Sequence, residues 1–500
     1  AAAYATMAAL GMLAVPAADA APPALPAGGG RRVLILGAGI AGMVMGLALR
    51  RAGYDPLILE ARSRPGGRNW SLRGGDTVAE FGSLQRVEWE TAPYLYVNPG
   101  PARLPYHHSA ILGYCRELGV ALEVMCNENR GALLQDDRAF AGKAQSNRRI
   151  VSDLRGHVAA LAAKAVDAGA LDQPIAAEDL EKLRAMLKAF GALDRDLVYR
   201  GSSRAGYARA PGAGMEAGTR YPPLDLRAIL ASDFWHFETQ FGESFEMAAT
   251  MMQPVGGMDR IGAAFAAALG RHIRYGVRAT ALRRTEAGVR VEWDGDAGAG
   301  ATEAPFVVLT QPLSVLRRMD ADFSPALRAA MAAVDYVPAG KIAWQASRRF
   351  WEEDAQIYGG ISWTSRDITQ IWYPTAGLHA PRGILLGAYI WSQRIGARFA
   401  AMPPGERLRR GLADLAALHP QAAAALGQGV AVAWKNIPFS EGAWSIWSKA
   451  ARAAAYPRLL AGEGPFLFAG EHMSFLNGWQ EGAARSAHYT LGQVAARMRA

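Results

Sequence analysis

Five hundred residues are more than one simple core fills, so two or three subdomains are expected. Hydrophobic residues make up 51% and charged residues 20%, the balance of a globular chain rather than a disordered or membrane-embedded one. The formal net charge of +9 comes mainly from arginines scattered along the chain, with no Lys/Arg block interleaved with aromatics. That argues against nucleic-acid binding and leaves a surface suited to drawing in an anionic or zwitterionic substrate.

In chain order, Ala1 to Val15 is mostly apolar and uncharged, and Pro16 breaks it. Ala18-Asp19-Ala20 has the A-x-A form of a signal cleavage site, before the Pro/Gly-rich Ala21 to Gly30. Residues 1–30 read either as the apolar part of an export signal of the twin-arginine kind, without its basic start, or as an Ala-rich segment packed on the body. Localisation stays open between export to a bacterial periplasm and the cytoplasm. Stable membrane insertion is not expected, because alanine is weakly apolar and Gly11 and Pro16 interrupt the run.

Val33-Leu34-Ile35-Leu36 leads into Gly37-Ala38-Gly39-Ile40-Ala41-Gly42, and a second apolar run, Leu57-Ile58-Leu59, ends at Glu60. This pattern predicts strand, glycine turn, helix, strand, with an acid closing the second strand. Gly37 allows the tight turn and Gly39 lets the backbone approach a pyrophosphate. Gly42 lets the helix pack close to the sheet, and Glu60 can bond a ribose hydroxyl. A bound dinucleotide is therefore expected. Arg62-Ser63-Arg64-Pro65-Gly66-Gly67-Arg68 narrows the choice. A nicotinamide site has no use for a second glycine pair and an arginine after its ribose acid. A buried flavin dinucleotide needs a fixed counter-charge, which Arg68 can supply while Gly66 and Gly67 let the backbone lie against it.

Farther along, Asn147 to about Phe241 is rich in Ala, Leu, Lys, Asp and Glu at helical spacing and predicts a helical insertion over the entrance to a site. Apolar and glycine-rich stretches at 253–310 and again at Pro465–Glu471 predict further pieces of the cofactor fold, with a helix from Glu481 to Met498 closing the chain. Alternating aromatic runs between Asp335 and Trp447, such as Ile357–Trp363 and Ile368–Tyr373, suggest a mixed sheet forming a substrate floor together with 76–122. Cys115 and Cys126 cannot make a disulfide framework and are expected to be free. With no CxxC and no clustered His/Cys, no metal is expected.

The Gly66-Gly67-Arg68 segment resembles the GGR signature of the flavin amine oxidase family, which includes the monoamine, polyamine and L-amino acid oxidases. The resemblance covers nearly the whole chain from Arg31. It implies an α/β fold with a Rossmann-like FAD-binding domain of the GR2 type, assembled from 31–72, 253–330 and 455–500. A mixed-sheet substrate-binding domain would come from 73–146 and 331–454, and a helical subdomain from 147–252. The cofactor contacts it implies are Gly37, Gly39, Ile40, Ala41, Gly42, Glu60, Ala61, Arg62, Gly66, Gly67, Arg68, Gly100, Pro101, Ala102, Arg103, Val277, Gly470, Glu471, Trp479, Gly482 and Ala483. Glu471 would bond the pyrophosphate or ribityl end, and the helix near Glu481 would aim its amides at the flavin pyrimidine. Covalent members use a cysteine in this C-terminal region; none stands here, which implies non-covalent FAD.

Asn98-Pro99-Gly100-Pro101-Ala102-Arg103-Leu104-Pro105 is a rigid loop with one charge, suited to holding a carboxylate through parallel N–H bonds. With His107-His108 and the helix-like Ile111–Leu118 it resembles the L-amino acid oxidase branch, where the matching arginine holds the substrate carboxylate. The same resemblance implies that Tyr373 gives the second hydrogen bond, that Lys341 lies near the flavin N5, and that Gly478 and Trp479 line the substrate channel. Arg103, Tyr373, Lys341 and Trp479 are thus the candidate catalytic set, whereas His107, His108 and His472 are given no acid–base role. Trp235, Trp363 and Trp372 are candidates for a side-chain pocket.

The implied reaction is oxidative deamination of an L-amino acid by hydride transfer from Cα to flavin N5. It yields a 2-oxo acid and ammonia, and oxygen is reduced to hydrogen peroxide. The rivals are an amine or polyamine oxidase, an amino-acid 2-monooxygenase, or a flavin dehydrogenase with a quinone acceptor. Partners would be a small amino acid and oxygen; a homodimer is common in the family.

Overall fold

The computed structural model describes residues 21–171, 175–296 and 298–499. The candidate signal segment, up to residue 20, lies outside the described residues. Arg32–Leu36 and Asp55–Leu59 are strands with four of five residues buried, as continuous apolar runs are in parallel sheets covered on both faces. They join strands far away in sequence in one five-stranded parallel sheet, ordered Ile273–Arg274, Asp55–Leu59, Arg32–Leu36, Val307–Leu309, Phe466–Phe468. Helices Ile40–Arg51, Asp259–Leu269 and Gln480–Arg499 cover one face around Met43, Phe265, Ala484 and Leu491. The antiparallel strands Val277–Thr285 and Gly288–Gly295 and the helix Pro325–Ala332 cover the other.

A seven-stranded mixed sheet forms the second body, in the order Leu426–Ala433, Gly340–Ala346, Gly383–Ile390, Gln370–Trp372, Ile361–Thr364, Leu133–Gln135, Gln145–Ser146. Its two faces build different cores. Trp363, Trp372, Leu386 and Trp434 lie on one side, and Ile371, Tyr373 and Leu385 on the other, following period-2 alternation. The helices Asn147–Asp167 and Ala177–Gly191 pack around a small core of their own, made by Ala159, Ala163, Leu187 and Tyr199. Among the described residues no helix is long and apolar enough to cross a membrane. Cys115 and Cys126 are free.

The hairpin Thr77–Glu80/Ser83–Arg86 is fixed by a buried ion pair to the helix Pro404–Leu415 and by a bond to the seven-stranded sheet. Glu80 accepts two 2.8 Å bonds from Arg407 Nη1 and another from the Ala433 N–H. Removing one partner leaves a charge in a dry site, so Arg407→Met is expected to destabilise the fold by about 3–5 kcal/mol. Thermal unfolding of the holoprotein checks this; an unchanged melting temperature would show the pair to be dispensable.

Candidate active site

Both sheets contribute to one cavity of about 920 Å³, near the upper end of the ~300–1,000 Å³ usual for ligand sites. At one end of it, Gly37 has φ +106°, a left-handed turn closed against Thr310, and a Cβ on Gly42 would run into the Gly37 carbonyl. Gly39 differs: it lines the cavity and a Cβ there would meet no protein atom. Helix Ile40–Arg51 begins beside it with no side-chain cap and no acid in its first turn. Its free N–H groups and positive dipole end are thus available to an anion. Glu60 is buried, accepting from the Ala38 and Arg62 N–H groups, which holds its carboxylate at the cavity wall. Gly66 N donates to Ala38 O at 2.8 Å, so the two glycine stretches lie against each other as one cradle.

Arg68 and Glu471 meet in this wall at 2.8 Å, and Glu471 also accepts from Ser445 Oγ and the Gly478 N–H. Burial alone would raise the Glu471 pKa, but Arg68, His472 and the Gly478 N–H outweigh it and hold the carboxyl below its usual range. Arg68 is therefore shared between Glu471 and the cavity, not reserved for a ligand. Burial lowers the Arg62 pKa; its guanidinium donates to Ser440 Oγ at 2.9 Å.

The loop carrying Arg103 is fastened at three points. Lys341 Nζ donates to Asn98 O and Gly100 O at 2.9 and 2.7 Å, Trp434 Nε1 donates to Pro99 O at 2.7 Å, and Gly100 packs directly on the Arg68 carbonyl. Arg103 itself is 7% exposed. Its Nη1 donates to Asn127 Oδ1 at 2.7 Å, and its guanidinium lies 4.7, 5.3 and 5.8 Å from the rings of Trp372, Phe241 and Trp479. Among the described residues no carboxylate pairs with it, and burial lowers its pKa to about 10. It remains a cation at neutral pH, facing the cavity without a counter-ion.

Of the residues expected from sequence, the cavity wall contains Gly37, Gly39, Ile40, Ala41, Glu60, Ala61, Arg62, Gly66, Gly67, Arg68, Gly100, Pro101, Ala102, Arg103, Val277, Lys341, Gly470, Glu471, Gly478, Trp479 and Ala483. Gly42 and Gly482 do not line it; both sit where a Cβ would strike backbone, so they serve packing. Tyr373 is a correction. It lies on the far face of the sheet, where its hydroxyl bonds Ser362 Oγ at 2.7 Å and His419 Nε2 at 2.6 Å. Its neighbour Trp372 faces the cavity instead, because successive strand residues point to opposite faces.

The tyrosine that does face the cavity is Tyr389, paired in register with Lys341 across adjacent antiparallel strands. Lys341 Nζ stands 4.5 Å from its ring centre, and the Tyr389 hydroxyl bonds no described residue. Burial raises its pKa to about 12, against the pull of Arg103, so it is a neutral donor. Sequence reading missed Tyr389, Asn127 and the lining tryptophans Trp391, Trp434 and Trp444. The one signal for Tyr389 was a lone hydroxyl in the apolar strand Gly383–Ile390. Trp363 stands behind the wall against Phe241, and Trp235 stacks on His236 away from it. The insertion's two helices do not line the cavity; from the insertion only Met247 reaches it. His107 and His108 both face Glu246, at 3.4 and 2.7 Å, and His108 packs edge-on to Trp479.

The family model for flavin containing amine oxidoreductase matches residues 40–490. The chain belongs to this family. It is a flavin-dependent oxidoreductase. It is 28% identical to an L-amino-acid oxidase of Siganus canaliculatus, over 91% of this chain and 83% of that one. It is 27% identical to the flavin-dependent L-tryptophan oxidase RebO of Lentzea aerocolonigenes, over 92% and 97%. Among solved structures, putrescine oxidase bound to putrescine superposes with a TM-score of 0.61 at 19% identity, covering 93% of this chain and 99% of that one. Cyclohexylamine oxidase of Brevibacterium oxydans gives 0.60 at 19% identity, covering 96% and 100%. These two establish the fold.

The open space at Gly39 and the uncapped helix beside it fit the flavin's phosphate-bearing tail. Gly39→Val is accordingly expected to fold but to purify largely without flavin, as read by the absorbance ratio and the apoprotein melting temperature. Gly42→Val, by contrast, should lose both flavin and fold; equal flavin content in Gly39→Val and the unaltered protein would remove the cradle. Burial, reinforced by Arg103, lowers the Lys341 pKa to about 7. As pH falls from about 9 to about 6 the amine gains a proton while Arg103 stays charged and Tyr389 neutral. Benzoate affinity, followed by flavin absorbance, is expected to rise roughly 3- to 10-fold over that range. In Lys341→Met the profile should be flat.

Proposed function

We propose that the protein is an L-amino acid oxidase using non-covalent FAD, oxidising the amino acid to an imino acid that water hydrolyses to a 2-oxo acid and ammonia, while oxygen is reduced to hydrogen peroxide. The observation that carries the reading is the buried Arg103 cation, without a carboxylate partner, facing the same cavity as the unbonded Tyr389 hydroxyl. A substrate carboxylate supplies the missing anion, accepting paired N–H bonds from the guanidinium and an O–H bond from Tyr389. The glycine cradle, Glu60 and the Arg68–Glu471 pair would hold FAD, and neither cysteine lines the cavity, which favours non-covalent binding.

When bound, the flavin supplies an acceptor for the two electrons and the α-hydrogen of the substrate. The protein's part is orientation. Fixing the carboxylate at one end leaves the α-carbon one bond away, and restricting that freedom lowers the barrier without a strong base. Trp372, Trp479 and Trp391 exclude water from the amine side, and Lys341, titrating near neutral pH, can take or return a proton at Nζ. The likeness to L-amino-acid oxidases supports the reading, while the likeness to putrescine and cyclohexylamine oxidases speaks only to fold.

The test is anaerobic bleaching of the flavin by L-amino acids, their D-enantiomers and the matching amines. Bleaching by L-amino acids is expected, and Arg103→Leu should reduce kcat/KM for them roughly 100- to 1,000-fold. Preference of the unaltered protein for simple amines would overturn the reading and place it with the amine oxidases.

A further inference from the structure

We infer that Asn127 is the positioning residue that keeps the Arg103 charge available, and so sets the preference for substrates with an α-carboxylate over plain amines. This rests on the carboxylate role proposed for Arg103. One small sheet carries both residues, and their side chains make the contact. Arg103 precedes Leu104–Pro105 and Asn127 follows Leu122–Met125, the two strands that flank Met251–Pro254. Asn127 is 5% exposed and both ends of its amide are committed. Oδ1 accepts from Arg103 Nη1 at 2.7 Å, and Nδ2 donates to the Met247 carbonyl at 2.8 Å. The flipped amide would set N–H against guanidinium and oxygen against carbonyl, so only one orientation is satisfied.

Two properties of this contact matter. It fixes one edge of the guanidinium, leaving its remaining N–H groups for the cavity. It also does so with a neutral acceptor. Aspartate has nearly the same shape and would make a stronger bond, but it would cancel the cation and lose the bond to Met247. The other neighbours of the guanidinium are the aromatic faces of Trp372, Phe241 and Trp479, which attract the cation without neutralising it. A single exchange of NH2 for O at position 127 thus separates a site that demands an anion from one that already contains it.

The test uses flavin-loaded enzyme and three probes: 3-phenylpropionate, which has a carboxylate and no amine, L-phenylalanine, and 2-phenylethylamine. In Asn127→Asp the dissociation constant of 3-phenylpropionate, read from flavin absorbance, is expected to rise at least about 100-fold, as is the KM for L-phenylalanine. The ratio of flavin-reduction efficiencies, amino acid to amine, should fall by a similar factor. Asn127→Leu keeps the charge and loses only the aim, so its loss should be about tenfold. Equal losses in the two variants, or 3-phenylpropionate binding to Asn127→Asp within about threefold of the unaltered enzyme, would overturn the inference. Should Asn127→Asp not retain flavin, Asn127→Ser decides. A roughly tenfold loss of 3-phenylpropionate affinity supports the role, and unchanged affinity overturns it. Failure of the underlying reading looks different: Arg103→Leu would then bind 3-phenylpropionate as tightly as the unaltered enzyme. If Arg103→Leu loses the ligand and Asn127→Asp does not, only the role of Asn127 falls.

Discussion

The site depends on how the short loop from Asn98 to Leu104 is held. It touches both halves of the molecule: Gly100 rests on the Arg68 carbonyl of the glycine cradle, while Lys341 and Trp434 of the seven-stranded sheet donate to the carbonyls of Asn98, Pro99 and Gly100. Asn98 extends the same connection, because its side chain accepts from Ser71 Oγ and the Met258 N–H. The glycine cradle, the loop and the cavity-facing sheet are therefore tied together. Arg103, the last residue before the strand Leu104–Pro105, inherits its position from all three. Lys341 has two consequences from one placement, since its ammonium ties the loop while its burial brings its titration near neutral pH.

Burying a guanidinium is costly, and the surroundings offset that cost only in part. The three aromatic faces contribute on the order of 0.5–2 kcal/mol each where water is excluded, and the Asn127 amide adds a neutral hydrogen bond. None of these supplies a negative charge. A carboxylate that enters the cavity gains what the protein withholds, and a ligand without one leaves the cation as it was. Selectivity of this kind needs no tight pocket around the rest of the substrate, which agrees with the broad aromatic surfaces of Trp372, Trp391 and Trp479 in the wall.

Much of the cofactor half was legible in the sequence because its signals are local. The turn Gly37–Gly42, Glu60 at the end of its strand and the pair Gly66-Gly67 each depend on backbone geometry within a few residues, and the structure puts all but Ala38 and Gly42 at the cavity wall. Arg103 was legible for a similar reason, as the only charge in a rigid loop. The substrate half was less so, because its chemistry is set by strand register, which a sequence does not display. Tyr389 stands in an apolar strand and Tyr373 directly follows one. One pairs across from Lys341 and the other is turned by one residue to the opposite core. Asn127 was invisible because its meeting with Arg103 is a side-chain contact between residues 24 apart in the chain, with no local pattern to mark it. The helical insertion was recognisable by its periodicity, yet its position over the cavity reduces to the loop at Met247.

The fold itself does not choose the substrate. Putrescine oxidase and cyclohexylamine oxidase share this architecture across almost their whole length, so neither the sheets nor the glycine cradle can distinguish an amine from an amino acid. The choice has to come from groups added to the common frame, and in this chain the added group is a charge left uncompensated. Such a device discriminates twice. Under the reading proposed above it would attract a carboxylate, and before one is bound it would repel a protonated amine, which would bring a second cation into a cavity that already holds Arg103 and, below about pH 7, a charged Lys341. A carboxylate paired with Arg103 would cancel most of that repulsion, so any remaining bias toward a neutral amino group, the form from which electrons leave most readily, would fall to Lys341 and only in its charged form.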